Sequence, residues 1–311
     1  MMFDVYPFMY DGSTNYNYLF NSLEAIRQSG LKYNQNTAAC MQTHGYGPAN
    51  GNPSHRDPTY TDMHYQGMVY LAYGIKHLSY WKYSSSSSVG TEQHNLGAID
   101  LDGNTTPVYD RMKAVNPIIH TVGAEIYNCD AKEVYISGPN TYGHAAVPSG
   151  FFAQPGNSSQ SLLLSYLKDK TTGRNYLMVV NNDLENSVTA PINFTSGIGS
   201  VELLNNDTGV WSESPVRGAY NVTLQAGGAA LIRLPESYRY GELNEAEGEN
   251  VLYHKTVYGN SSLGTPGVRD EMLPGWYLSC LTDGYIDANA GLGLNGWCSE
   301  LKDESFETYV K

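Results

Sequence analysis

The order of strand-like and helix-like segments near the N-terminus constrains the fold more than any other feature. A β-like alternation begins at residue 3 and places Asp4 and Tyr6 on the same face. Pro7 ends the alternation, because proline cannot donate to a strand ladder. A helix, a strand, a helix, a strand and a helix are predicted to follow. This order predicts an alternating β/α architecture whose opening portion we expect to be absent from the sequence.

Apolar spacing sets the bounds of these first elements. Strands are predicted over residues 3–8, 37–42 and 77–81, and helices over 16–29, about 59–73 and 107–122. Gly30 is expected to stop the first helix, and Thr59 or Thr61 to cap the second. Two long loops, residues 43–58 and the stretch after residue 83, separate these elements.

From about residue 124 the apolar pattern changes to a period of two, which is typical of antiparallel sheets. A hairpin is predicted from residues 161–168 and 175–181, and short strands from 201–204, 221–225 and 229–234. These strands predict a β-sandwich over residues 124–235. An acidic linker over 236–249 and a third unit over 250–311 complete the predicted organisation.

Charge and hydropathy exclude two kinds of partner. The net charge is −13 and the chain contains 18 Lys and Arg residues in all, so a nucleic-acid partner is not expected and a neutral ligand fits better. No run of 18 apolar residues exists, so no membrane span is predicted. Tyrosine is abundant, with 26 residues, which suits either packing in β-rich domains or stacking on sugars.

Several segments together carry a resemblance to a known family. They are Phe3-Asp4-Val5-Tyr6-Pro7, Arg56-Asp57-Pro58-Thr59, Leu71-Ala72-Tyr73-Gly74 with Tyr80-Trp81, and residues 100–109. Their order resembles the sixth, seventh and eighth β/α units of clan A glycoside hydrolases, in the β-galactosidase-like bacterial group. The resemblance implies an α/β fold over residues 1–123, the last three units of a (β/α)8 barrel, followed by an accessory β-sandwich. It also implies a secreted hydrolase of poly- or oligosaccharides.

The last unit resembles the start of a discoidin-like carbohydrate-binding domain. The resemblance is carried by Leu281-Thr282-Asp283-Gly284 and Gly296-Trp297-Cys298-Ser299. It implies a sugar-binding role for residues 250–311 and a structural calcium ion near Asp283, and no other cofactor is expected. Because both the barrel and this domain match in part, we expect the chain to be truncated at both ends.

In barrel enzymes the chemistry takes place at the C-terminal ends of the strands, which makes Tyr6, Gln42, His44 and Trp81 the candidates here. Glycoside hydrolysis normally needs two carboxyl groups. The resemblance places the acid/base on the fourth strand, outside this sequence, and the nucleophile on the seventh. At the seventh strand the sequence has Gln42, whose amide is a poor nucleophile. The catalytic residues therefore stay unassigned, and the chain alone is expected to be inactive.

Each candidate contact has a structural alternative. The resemblance implies that Trp81 stacks under a sugar, and the alternative is that its ring packs between the barrel and the helices. Tyr83 lies on the same side of the strand by alternation. Asp4 either holds a sugar hydroxyl or a catalytic partner, or is a buried carboxylate that is hydrogen-bonded to a neighbouring strand. His44 either forms a hydrogen bond to a sugar or is a structural or solvated loop residue. A non-catalytic glycan-binding or scaffold protein is the alternative function.

Overall fold

The structure, a computed structural model, describes residues 2–48, 54–87 and 92–241. The chain divides into two compact units, Met1–Tyr238 and Arg239–Lys311, and all elements below lie in the first. The predicted domain over 250–311, with its candidate calcium ligand Asp283, lies outside the described residues, as does most of the predicted linker. Among the described helices, none combines the length and the apolar character that a bilayer crossing needs.

Strands and helices alternate over the first 126 residues. In chain order they are β1 (Met2–Asp4), α1 (Tyr16–Tyr33), β2 (Ala38–Gln42), β3 (Tyr46–Pro48), α2 (Tyr60–Ala72), β4 (His77–Trp81), β5 (Glu92–His94) and α3 (Pro107–Ile126). Strands β1, β2 and β4 form a parallel sheet in that order, and β3 pairs with β5 antiparallel. In the register, Asp4 lies opposite Cys40 and Gln42 opposite Trp81. The predicted order of three strand–helix units is confirmed, and their strands end at one edge. The first strand, predicted over residues 3–8, is shorter and ends at Asp4, so Tyr6 lies beyond it.

The first helix runs longer than its predicted bounds. Asn15 caps α1 by accepting a hydrogen bond from the Tyr18 N–H, and a stripe of buried apolar side chains faces the core. The prediction that Gly30 stops the helix is wrong. The stop lies at Asn34, which adopts the left-handed conformation with a φ of 49° and donates to the carbonyl oxygens of Gly30 and Leu31. Gly30 instead lets Thr37 approach the helix closely.

Helix α2 lies between the parallel sheet and an antiparallel sheet, and most of its residues are buried. On one side a side chain at Gly67 would collide with Ile119 of α3, so the glycine permits close helix packing. On the other side Ser165 donates from Oγ to the Ala72 carbonyl oxygen at 2.6 Å. Gly74, with a φ of +78°, ends the segment as predicted. The helix therefore joins the two halves of the unit.

The remaining strands form two antiparallel sheets. They are β6 (Cys129–Ser137), β7 (Ala153–Pro155), β8 (Leu162–Asp169), β9 (Asn175–Asn181), β10 (Val188–Phe194), β11 (Ser200–Leu204), β12 (Trp211–Pro215), β13 (Tyr220–Leu224) and β14 (Ala229–Arg233). One sheet has the order β12-β11-β14-β9-β8-β6, the other β13-β10-β7. The predicted hairpin is confirmed as β8 and β9. Strand β10 is not among the predicted strands, because Pro191 breaks the strand pattern in its sequence. The complete barrel and the sandwich remain predictions.

An ion pair to a buried carboxylate fixes the start of α2. Asp62, whose side chain is 3% exposed, accepts hydrogen bonds from the Thr59 N–H and from the Arg56 guanidinium. Thr59 in turn accepts from the Asp62 N–H, which completes a capping box. The helix N-terminus and the preceding loop are thus held by the same carboxylate.

We expect Asp62→Ala to lower the free energy of unfolding by roughly 3 kcal/mol, because the cap is lost and Arg56 loses its partner. Urea denaturation followed by circular dichroism measures the change. Asp110→Ala, which removes an exposed acid from the first turn of α3, is the matched control and should cost less than about 1 kcal/mol. Equal losses in the two variants would contradict this role for Asp62.

Candidate functional site

An open recess of about 530 Å³ lies at the edge where the parallel strands end. The residues that line it come from β1 and its continuation, from β2, β3 and β5, and from the last residue of β4. They are Met2, Phe3, Asp4, Tyr6, Cys40, Tyr46, Trp81 and His94. Of the predicted contacts, the recess brings together Asp4, Tyr6 and Trp81.

Trp81 presents its indole to the recess while its backbone is held firmly. The residue is 43% exposed although it ends a strand of the sheet. Its carbonyl oxygen accepts from the Thr43 N–H at 3.1 Å and lies 3.2 Å from His44 Nδ1. The peptide bond that follows, to Lys82, is cis. A large apolar face that is exposed while its backbone is held by hydrogen bonds suits stacking against a flat ligand surface.

Aromatic rings form a continuous wall on one side of the recess. Tyr46 stacks on His55 with ring centroids 4.3 Å apart and an interplanar angle of 9°, and on its other neighbour His94 at 5.8 Å and 26°. Tyr6 meets Tyr46 edge to face at 5.6 Å. Desolvation, with a smaller effect of the nearby Asp4 charge, raises the pKa of Tyr6. The Tyr6 hydroxyl therefore keeps its proton at neutral pH and can donate a hydrogen bond.

His44 lies behind this wall, and this placement corrects the prediction that it faces a sugar. The side chain is fully buried, with Nε2 lying 3.2 Å from His94 Nδ1. Burial, followed by the positive charge of Lys82, lowers the pKa of His44 to about 4. His44 is therefore neutral at pH 7 and joins Trp81 to His94.

Gln42 also lies beneath the recess, so the prediction that it contacts a sugar is corrected as well. The residue is 1% exposed. Its Oε1 accepts from the Phe8 N–H at 3.0 Å, and its Nε2 donates to the carbonyl oxygens of Phe8 and Arg56. All these bonds go to backbone groups of two loops, so Gln42 holds the loops together instead of facing a ligand.

Tyr83 is 51% exposed and is not among the residues that line the recess. Asp4 is exposed at the end of β1, so the alternative that it is a buried, strand-bonded carboxylate does not hold. Within residues 2–48, 54–87 and 92–241, no group of three or more His, Cys, Asp or Glu side chains could hold a metal ion.

The sequence did not single out Tyr46, His55 or His94 as wall residues. Strands β3 and β5 are each three residues long and pair across a wide gap in the sequence, with Tyr46 opposite His94. Such short strands leave no periodic signal. The available sign was the presence of aromatic and histidine residues in long loops at the strand ends.

Comparisons with known proteins find similarity to solved structures at low sequence identity. No family model matches the sequence, and no curated protein matches it. Similar solved structures include a family 27 β-L-arabinopyranosidase from Geobacillus stearothermophilus, with 9% identity over 75% of this chain and 44% of that one and a TM-score of 0.39. A family 5 glycoside hydrolase from Bacteroides vulgatus shares 11% identity over 75% of this chain and 49% of that one, with a TM-score of 0.40. The chain spans about half of each.

A Gln42→Met variant tests the structural role of the buried amide. Methionine keeps the length of the side chain but removes its three hydrogen bonds to the backbone of Phe8 and Arg56. The Phe8 carbonyl oxygen still accepts from the Arg56 N–H, whereas the other two groups lose this partner, so the free energy of unfolding should fall by roughly 3 kcal/mol. Urea denaturation measures it. Gln28→Met, on the exposed face of α1, is the matched control, with an expected change within about 0.5 kcal/mol. A Gln42→Met protein as stable as the control would show that these bonds contribute little.

The lowered pKa of His44 predicts a contribution to acid lability. Between its usual pKa of about 6.5 and the folded value of about 4, the unfolded chain binds a proton that the folded chain does not. The free energy of unfolding should therefore fall as the pH drops through this window. His44→Gln should show a shallower fall, measured by urea denaturation across the window. Identical slopes would contradict the neutral, buried state of His44, since every other histidine is common to both proteins.

Proposed function

We propose that this chain forms the sugar-binding wall of a glycoside hydrolase that acts on poly- or oligosaccharides. The observation that carries the proposal is the exposed indole of Trp81 at the carboxyl end of the third parallel strand. Trp81 shares its recess with Tyr6 and Tyr46. In α/β barrels this end of the strands is where substrates bind. The sequence resemblance to clan A enzymes places the same residue under the sugar.

The chemistry of the recess favours a neutral sugar. Flat aromatic faces and hydroxyl groups match the alternating apolar and polar surfaces of a pyranose or furanose ring. Asp4 is the one carboxylate among the described residues that line the recess, and it can accept from sugar hydroxyl groups. A uronic acid would place a second negative charge beside Asp4, in a chain whose net charge is already −13.

Bond cleavage needs more than the described recess supplies. Retaining and inverting hydrolases both use a pair of carboxyl groups that flank the scissile bond. The described lining contributes Asp4 alone, and the strand that the resemblance aligns with the nucleophile carries Gln42, whose amide is committed to backbone groups. We therefore expect the chain alone to bind sugar without hydrolysing it.

The same observation supports a second candidate, a non-catalytic glycan-binding or scaffold protein. A recess with aromatic walls and one carboxylate is sufficient for recognition. The two candidates differ in whether β/α units with a carboxylate pair accompany this chain in the intact protein.

The remaining assignments belong to the same proposal. Residues 1–123 would belong to a barrel, 124–235 to an accessory sandwich, 236–249 to a linker and 250–311 to a discoidin-like domain with a calcium ion near Asp283. Secretion is proposed with them. The sequence resemblance supports these assignments.

Trp81→Ala should weaken binding of the best-bound neutral oligosaccharide by about five- to thirtyfold, because loss of one stacking face removes on the order of 1–2 kcal/mol. Isothermal titration calorimetry of the full chain against β-linked gluco-, xylo- and galacto-oligosaccharides provides the measurement. Tyr83→Ala removes an equally exposed ring outside the recess and should bind as the wild type does. Equal losses in the two variants would point to an effect away from the recess.

The absence of hydrolysis is tested on the same protein. Chromogenic β-galactosides, β-glucosides and α-arabinosides should release no more chromophore with the full chain than with its Trp81→Ala variant. Turnover that depends on Trp81 would contradict the expectation of binding without cleavage.

A further inference from the structure

The geometry of His44 fixes where its proton lies. A backbone carbonyl oxygen can only accept a hydrogen bond, so His44 Nδ1, 3.2 Å from the Trp81 oxygen, must carry a hydrogen. In a neutral imidazole the other nitrogen, Nε2, is then an acceptor. His94 Nδ1 lies 3.2 Å from it and must therefore donate. One assignment of protons satisfies both contacts when His44 is neutral.

The surroundings of His44 keep it neutral. The side chain is fully buried. The charged or titratable groups that act on it are Lys82, which follows β4, His94 of β5, and Asp57 of the loop before α2. Burial and Lys82 oppose a positive charge more strongly than Asp57 favours it. Asp57 is itself engaged by the Gly45 N–H and the Asn95 amide.

We propose that His44 is a positioning residue that holds Trp81 and His94 on the wall of the recess through its two ring nitrogens. The proposal rests on the proposed function, since it gives His44 a part in sugar binding by the same recess. His44 follows β2, Trp81 ends β4 and His94 ends β5. One buried ring thus joins three segments that lie far apart in the sequence. A second tether to the same carbonyl, from the Thr43 N–H, restrains Trp81 further.

The proton assignment is measurable without any sugar. We expect nitrogen-15 NMR of histidine-labelled full chain to show His44 at neutral pH with hydrogen on Nδ1, the reverse of the form that an isolated neutral imidazole favours. The signal is assigned by its loss in His44→Gln. A hydrogen on Nε2, or a doubly protonated ring, would overturn the proposal even if the variants below failed to fold.

Two variants separate the nitrogens. In His44→Asn the amide nitrogen takes the position of Nδ1 and can still donate to the Trp81 carbonyl, whereas His94 is out of reach. In His44→Gln the longer amide reaches towards His94 and leaves the Trp81 carbonyl without this donor. Each should bind the best-bound neutral oligosaccharide about tenfold more weakly than the wild type. Binding as tight as that of the wild type in both variants would overturn the proposal.

A double-mutant cycle distinguishes positioning from general stability. If His44 acts through Trp81, then His44→Gln should weaken binding less in a Trp81→Ala background than in the wild type. Equal fold-losses in the two backgrounds would overturn the proposal. A wild-type chain that binds none of the oligosaccharides would overturn the proposed function and, with it, this role, whereas the NMR result would still report the proton positions.

Discussion

The recess depends on a buried set of hydrogen bonds that joins helix α2 to the ends of the parallel strands. Gln66 accepts from the Gln42 N–H at 3.0 Å and donates to the Val5 carbonyl oxygen at 3.1 Å. The hydroxyl of Tyr70 lies 3.2 Å from the Cys40 carbonyl oxygen and accepts from the Gln66 amide. Backbone groups that the short strands leave unpaired would be costly when buried, so these side chains make the strand ends tolerable. These bonds hold α2 against β1 and β2, the strands that contribute Asp4 and Cys40 to the lining of the recess.

Hydrogen bonds of Gln42 and His44, at and just after the end of β2, extend this restraint to the loops and to the wall of the recess. From the end of β2, Gln42 reaches the loops at Phe8 and Arg56, and Arg56 forms an ion pair with the capping residue Asp62. His44, two residues further, lies against the carbonyl of Trp81. Gln42 thus holds the loops in place, and His44, two residues later, holds the wall. A binding site held by strand ends and their buried partners keeps its geometry better than one built on loops alone.

The sequence predicts those parts of the structure that have local causes. The strand–helix order follows from apolar spacing, and the start of α2 was predicted at Thr59 or Thr61. The structure selects Thr59, which forms a capping box with Asp62 three residues later. The end of α1 was predicted four residues too early, because Asn34 can take the left-handed conformation as Gly30 can. The burial of Gln42 was beyond prediction, since its partners lie on loops whose course depends on the whole unit. The same holds for the pairing of Tyr46 with His94.

Tyrosine side chains occupy two settings in this structure, the packed core and the wall of the recess, and stacking of tyrosine on a sugar stays a prediction. Tyr65 and Tyr70 are fully buried on α2, where their rings pack and their hydroxyls find hydrogen-bond partners. Tyr6 and Tyr46 expose part of their rings to the recess. A ring with a polar edge suits both settings, because its face is apolar in either case and its hydroxyl can form hydrogen bonds. The recess therefore offers aromatic surface and uncharged donors in quantity but carboxylate only at Asp4. This balance suits recognition of a neutral polyhydroxylated ligand, and cleavage would require a second carboxyl group at the same place.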